Sequence, residues 1–155
     1  MTRNSVWFAL ILTVALAMTS CNRKTIYHHY KQTPLTGWEK NDTLIFSVSP
    51  VKQRAVVMRN LELRISNDFP FQRLNLIVEQ TVYPSSYRRS DTLNCQLIAD
   101  EGTVKGGGVS LYEYRFQLPD ISVNEDDSID IRVRHNMKRE ILPGVSDVGI
   151  KLTAY

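Results

Sequence analysis

Hydrophobic residues recur at every second position along most of this chain, and that period constrains its fold more than any other feature. Leu44, Phe46 and Val48 alternate with Ile45, Ser47 and Ser49, and Leu61, Leu63 and Ile65 alternate with Glu62 and Arg64. The pattern returns at Leu74, Leu76 and Val78, at Tyr112, Tyr114, Phe116 and Leu118, at Ile129, Ile131 and Val133, and at Val148, Ile150 and Leu152. Successive side chains on a strand point to opposite faces, so alternation describes half-buried strands with one face on a core and the other in water. The breaks carry turn chemistry: Asn67-Asp68-Phe69-Pro70, Pro84-Ser85-Ser86, Gly106-Gly107-Gly108, Pro119-Asp120 and Asn124-Glu125-Asp126-Asp127. Such residues permit or preset the backbone angles of a turn. No window carries a long apolar stripe at helical spacing; one short helical turn is predicted between Asn136 and Leu142, ahead of Pro143-Gly144. Roughly seven or eight short strands with regular turns predict an all-β fold, an antiparallel β-sandwich of the immunoglobulin-like or jelly-roll-like kind.

The start of the chain obeys a different rule. Met1-Thr2-Arg3-Asn4 precedes an apolar run from Val6 to Met18, and Thr19-Ser20-Cys21 closes it. The run is about 13 residues, against the ~20 that a membrane-spanning helix needs. A basic start, a short apolar core and small residues make a secretory signal peptide, and a cysteine at the junction makes it a lipoprotein signal. Met18 and Ser20 stand where bacterial lipoproteins usually carry Leu and Gly or Ala; both are tolerated variants. Cleavage would leave Cys21 first, with a diacylglycerol on its thiol. The alternatives are ordinary cleavage with Cys21 as a free thiol, and an uncleaved signal anchor. The expected organisation is a signal peptide over residues 1–20, a lipidated cysteine and polar tether over 21–36, and the sandwich over 37–155.

Cysteine usage agrees with acylation. The chain has two cysteines, and an acylated Cys21 cannot pair with Cys95, which is expected to be a small buried hydrophobe. No zinc spacing accompanies it. The net charge of +3 over 155 residues, with basic and acidic residues interleaved, leaves no nucleic-acid footprint. His28 and His29 are adjacent, so on a strand they face opposite ways and cannot chelate one ion together; His135 stands alone. The acidic run Asn124 to Asp127 has calcium-ligand chemistry without EF-hand spacing, and reads better as a solvated loop. Lys105-Gly106-Gly107-Gly108-Val109-Ser110 meets neither phosphate-loop nor dinucleotide spacing. No nucleophile elbow or local Cys–His signature appears. No cofactor, small-molecule substrate or catalytic residue is expected. Among aromatics, Tyr112, Tyr114 and Phe116 alternate into the core, whereas Trp38 and Tyr87 are the candidates for an exposed platform that would stack on carbohydrate. A carbohydrate-binding accessory lipoprotein is therefore the rival reading.

Taken in order, several segments resemble the gliding-motility lipoprotein GldH family of the Bacteroidota. They are Tyr27 to Tyr30 soon after the cysteine, Gly37-Trp38 with Glu39-Lys40-Asn41-Asp42, the strand–turn–strand from Asn60 through Asn67-Asp68-Phe69-Pro70-Phe71 to Val78, Asp91-Thr92-Leu93, the glycine-rich turn, and Leu142-Pro143-Gly144-Val145-Ser146-Asp147-Val148-Gly149-Ile150. The resemblance implies a lipid-anchored cell-envelope protein linked to the gliding machinery, with other envelope proteins as partners and no enzyme activity. Only Cys21 carries over as a functional position. Surface-exported lipoproteins of that phylum tend to carry acidic residues after the cysteine; here Asn22-Arg23-Lys24 follow, so a periplasm-facing protein on the outer membrane is expected. Exported proteins of the phylum are also often O-glycosylated at Asp-Ser/Thr before a hydrophobic residue. The matches are Asp42-Thr43-Leu44, Asp91-Thr92-Leu93 and Asp127-Ser128-Ile129, making Thr43, Thr92 and Ser128 candidate sites. The plainer account is that Asp-Ser/Thr opens a strand after a turn.

Overall fold

The computed structural model describes residues 24–155, and every named element is a strand. In order these are β1 (Lys24–Gln32), β2 (Trp38–Glu39), β3 (Leu44–Val48), β4 (Ala55–Ser66), β5 (Arg73–Tyr83), β6 (Tyr87–Gln96), β7 (Gly107–Gly108), β8 (Leu111–Val123), β9 (Ser128–His135), β10 (Ile141–Leu142) and β11 (Val145–Ala154). The long strands pair as one folded ribbon. β5 pairs with β6 at its tip, then β4 with β8, β3 with β9, and β1 with β11, all antiparallel. Two further antiparallel pairings, β11 with β4 and β9 with β5, roll the ribbon into two sheets. Their orders are β1-β11-β4-β8-β7 and β3-β9-β5-β6. A double-layered ribbon rolled in this way is the jelly-roll member of the two sandwich forms that the alternation allowed.

The period-two residues fill the space between the sheets. Phe46, Leu61, Leu63, Leu74, Leu76 and Ile131 are all essentially inaccessible. Each full side-chain burial of this kind contributes roughly 1.5–3 kcal/mol. Tyr114 and Leu118 point inward while Glu113, Arg115 and Gln117 are exposed, as the alternation on β8 requires.

Three segments differ from the sequence expectation. The segment read as a tether is mostly strand: Lys24–Gln32 forms β1 and pairs with β11 along its length. It shows no apolar alternation because it is a sheet edge, where charged and polar side chains are tolerated and discourage edge-to-edge pairing. Pro119-Asp120 does not end a strand; β8 runs through to Val123. The pairing slips there, from Arg59↔Leu118 to Val57↔Ile121, so the two residues bulge opposite Met58. A bulge is where a residue without an N–H donor fits inside a sheet. Finally, residues 136–142 form no helical turn. They bend into β10, which pairs with β2 through Leu142↔Trp38.

The turn before β11 depends on one glycine. Gly144 has φ +81°, and a Cβ there would lie 2.3 Å from the backbone nitrogen of Phe69. Its carbonyl accepts a hydrogen bond from Ser66 N at 2.8 Å, which ties the β10–β11 turn to the end of β4. Both the left-handed angle and the close approach demand glycine. Gly144→Ala is expected to destabilise the fold by about 2 kcal/mol or more. A urea titration showing the variant within about 0.5 kcal/mol of the parent, the range of neutral surface changes, would contradict this packing.

Candidate functional site

Cys21 lies outside the described residues. Of the other positions singled out, the structure separates most. Trp38 is fully buried, not exposed. Its indole Nε1 donates to Asp42 O at 2.9 Å, and its ring meets His135 edge-on at 5.3 Å between centroids. His135 Nε2 lies 3.1 Å from Trp38 O, and burial pushes the His135 pKa down. The two-residue strand β2 brings Trp38 against Leu142 and closes it over the core, which two residues of alternation could not signal. Tyr87 is exposed, but it sits at the β5–β6 tip, at the opposite end of the sandwich from β2. Trp38 and Tyr87 therefore form no common platform. Cys95 is a buried free thiol, its pKa pushed up to about 12 by burial.

The three glycosylation candidates occupy different settings. Thr43 is half-buried just before β3, and Ser128 is half-buried at the start of β9, where strand-opening accounts for both. Thr92 does not fit that account. It sits within β6, exposed, and pairs with Ile77. Two of the three aspartates beside the candidates have side-chain partners: Asp127 accepts from Asn124 N at 2.8 Å, and Asp91 binds Arg59 Nη2 at 2.9 Å and Arg89 Nε at 3.0 Å.

Two ionic clusters, neither visible in the sequence, hold the sheets. Arg59 lies at a core-facing position of β4, almost fully buried. It crosses between the sheets to Gln80 Oε1 at 2.9 Å and Asp91, and its Nε donates to Pro119 O at 2.8 Å. One arginine thus links β4, the β8 bulge, β5 and β6. The second cluster centres on Glu62, on the outer face of the five-stranded sheet. Tyr30, Gly149, Glu62 and Arg115 form one cross-strand row over β1, β11, β4 and β8. Gly149 has no side chain, so the Tyr30 ring lies across it; a Cβ there would meet that ring at 2.7 Å. Tyr30 Oη donates to Glu62 Oε2 at 2.6 Å, His28 Nε2 lies 2.7 Å from the same oxygen, and Arg115 Nε donates to Oε1 at 2.8 Å. Arg64 stacks over the Tyr30 ring at 4.2 Å and binds Glu113. His28 and His29 do face apart, His29 meeting Tyr27 instead. No group of three or more metal-ligating side chains occurs among the described residues.

The electrostatics of the row follow from its geometry. Burial by itself would raise the Glu62 pKa, but hydrogen bonds from Tyr30, His28 and Arg115 outweigh it and hold the carboxyl below its ordinary value. Burial, reinforced by Glu62, pushes the Tyr30 hydroxyl well above its usual range. Tyr30 therefore stays a donor, and the row is a clamp that fastens β1 across β11 to β4.

The two ends of the sandwich differ in chemistry. The chain enters at Lys24, which pairs with Ala154, which pairs with Val57. That entry end also holds the β3–β4 connection, the β5–β6 tip and the Asn124–Asp127 loop, joined by bonds such as Val51 N to Asp127 O at 2.9 Å. Its exposed large side chains are Val56, Tyr83, Tyr87 and Tyr155. The far end carries Leu35, Val104, Val109, Leu111 and Ile141. An apolar depression there is lined by Phe69, Phe71, Ile98, Val104 and Tyr112. Among exposed side chains, tyrosine marks one end and aliphatic residues the other.

Fold and surface together define an all-β jelly-roll domain whose buried charges clamp strands and whose two ends differ in exposed chemistry. The chain belongs to the GldH lipoprotein family, whose model matches residues 25–152. It is 27% identical over 150 residues to the gliding motility lipoprotein GldH of Flavobacterium johnsoniae, covering 92% of this chain and 93% of that one. It is 23% identical over 154 residues to a gliding motility lipoprotein GldH homolog of Christiangramia forsetii, covering 94% and 93%. Solved structures are more distant. A CocE/NonD family hydrolase from Staphylococcus aureus gives a TM-score of 0.45 at 11% identity, over 84% of this chain and 33% of that chain. This chain is thus a lipoprotein of the cell envelope associated with gliding motility.

Glu62 titrates lower in the folded chain than the ordinary value of 4.5. Its contribution to stability is therefore complete above that value and is lost as pH falls through the folded pKa. Glu62→Gln is expected to cost about 1–2 kcal/mol at pH 7, the range for charged hydrogen bonds discounted for the exposure of Arg115 and His28. The difference from the parent should shrink steadily below pH 4.5. Chemical denaturation across pH measures it; a pH-independent difference would contradict the clamp.

Proposed function

We propose that the chain is a non-enzymatic, lipid-anchored subunit of an envelope assembly that serves gliding motility, held through acylated Cys21 on the periplasmic side of the outer membrane. The observation that carries this reading is the family match over nearly the whole folded domain, in a chain whose first strand begins three residues after Cys21. The anchor confines the domain to a surface and raises its effective concentration beside its partners. More than one acyl chain makes such anchoring stable. The aliphatic far end is the docking face for another envelope protein: Leu35 and Val109 are almost entirely solvent-exposed there, and exposed apolar side chains of this kind favour protein contacts. Thr92, exposed and mid-strand, is the best placed of the three glycosylation candidates.

Replacing Cys21 by Ala tests the anchor in the native host. The parent protein is expected in the membrane fraction, with an intact mass that includes the acyl chains and any glycan on Thr92. The variant should lack that acyl mass. A parent protein whose intact mass carries no acyl chains would refute acylation at Cys21. Affinity capture from native membranes then tests the docking face. The parent should recover an envelope protein that Leu35→Asp with Val109→Asp loses, whereas recovery of glycans alone would overturn the interaction role.

A further inference from the structure

The direction in which β1 enters the sandwich fixes more than an attachment point. Only Asn22 and Arg23 separate Cys21 from Lys24, and at 3.3–3.6 Å per residue the connection spans at most about 10 Å. Lys24 begins a strand that the Glu62 clamp fastens to the centre of the sheet. The entry end is therefore held within one short connection of any bilayer that takes up the acyl chains. β4 spans twelve residues from one end to the other, roughly 40 Å at strand rise, so the two ends meet different surroundings.

We infer that the entry end of the sandwich is a lipid-facing surface, in which Tyr83, Tyr87 and Tyr155 rest in the headgroup layer while the aliphatic end points away from the membrane. The inference rests on acylation of Cys21. Among the described residues, the tyrosines above 40% accessibility are Tyr83, Tyr87 and Tyr155, the last with its hydroxyl on Asp120, and all lie at this end; the exposed large hydrophobics at the other end are aliphatic. Tyrosine has an apolar ring and a polar hydroxyl, the chemistry that favours the membrane–water interface over either phase alone. Charge gives little further bias. Lys24, Lys52, Arg54 and Arg88 at this end are offset by Asp120, Glu125 and Asp126, all exposed. The contact is thus predominantly aromatic and insensitive to salt, unlike a polybasic contact that decays within a Debye length.

The test uses the full acylated protein in vesicles of phosphatidylethanolamine and phosphatidylglycerol. A fluorophore is placed at Lys52→Cys, in the β3–β4 connection, or at Val109→Cys, at the far end. Cys95 is buried, so labelling is confined to the introduced thiol. A headgroup-attached quencher should quench the label at position 52 at least threefold more than the label at 109, at low and high salt alike. Adding Tyr83→Ser and Tyr87→Ser should reduce quenching at 52 about twofold, with the circular dichroism spectrum unchanged. Co-flotation with the vesicles is measured in parallel. Protein that floats with equal quenching at both positions, or with quenching at 52 that ignores the tyrosines, overturns the orientation and leaves the anchor standing. Protein that does not float removes the anchor, and the orientation with it.

Discussion

The structure depends on the way β1 is fastened. It is an edge strand with little apolar content, and its backbone pairs with only one neighbour, β11. Edge ladders of this kind open easily. Here Tyr30 crosses β11 over the gap that Gly149 leaves, and its hydroxyl and the His28 ring both meet the buried carboxylate of Glu62 on β4. Arg115 on β8 binds the same carboxylate from the other side. Three strands, β1, β4 and β8, are thereby joined through one acid, across β11. The first strand of the described chain is locked to the middle of the sheet.

The opposite interior junction works by similar physics. Arg59 is buried where the alternation would place a hydrophobe, and a buried guanidinium is tolerated only when its donors are used. Asp91, Gln80 and the carbonyl of Pro119 accept them. The bulge at Pro119-Asp120 turns that carbonyl toward Arg59, so an apparent strand-breaker is part of the link between the two sheets. Apolar packing fills the sandwich, and two charged junctions determine which strands are joined.

The alternation made β3, β4, β5, β8, β9 and β11 legible, because period two follows directly from a strand that faces a core; β6, with few buried side chains, was not legible that way. Resemblance over the Asn60–Val78 region and the β11 segment pointed to the family, which the match over residues 25–152 establishes. β1 was not legible: a polar edge strand has no apolar period, so it read as a tether. Trp38 was misplaced because a two-residue strand has no period at all, and its burial depends on Leu142 and His135, distant in sequence. The Glu62 and Arg59 clusters were hidden for the same reason, since each joins residues more than 20 positions apart. Glu62 read as the solvent side of an alternating pair, and it does face outward; Tyr30 and its neighbours cover it.

If β1 is a clamped strand, its amides behave as part of the sheet. Hydrogen exchange of the protein, resolved for the peptides covering Lys24–Gln32 and Val145–Ala154, measures this most directly. The β11-bonded amides of β1 should be protected to within about tenfold of those in β11, and Glu62→Gln should lower β1 protection selectively. Exchange of the β1 peptide at the rate of an unstructured chain, beside a protected β11, would contradict the account.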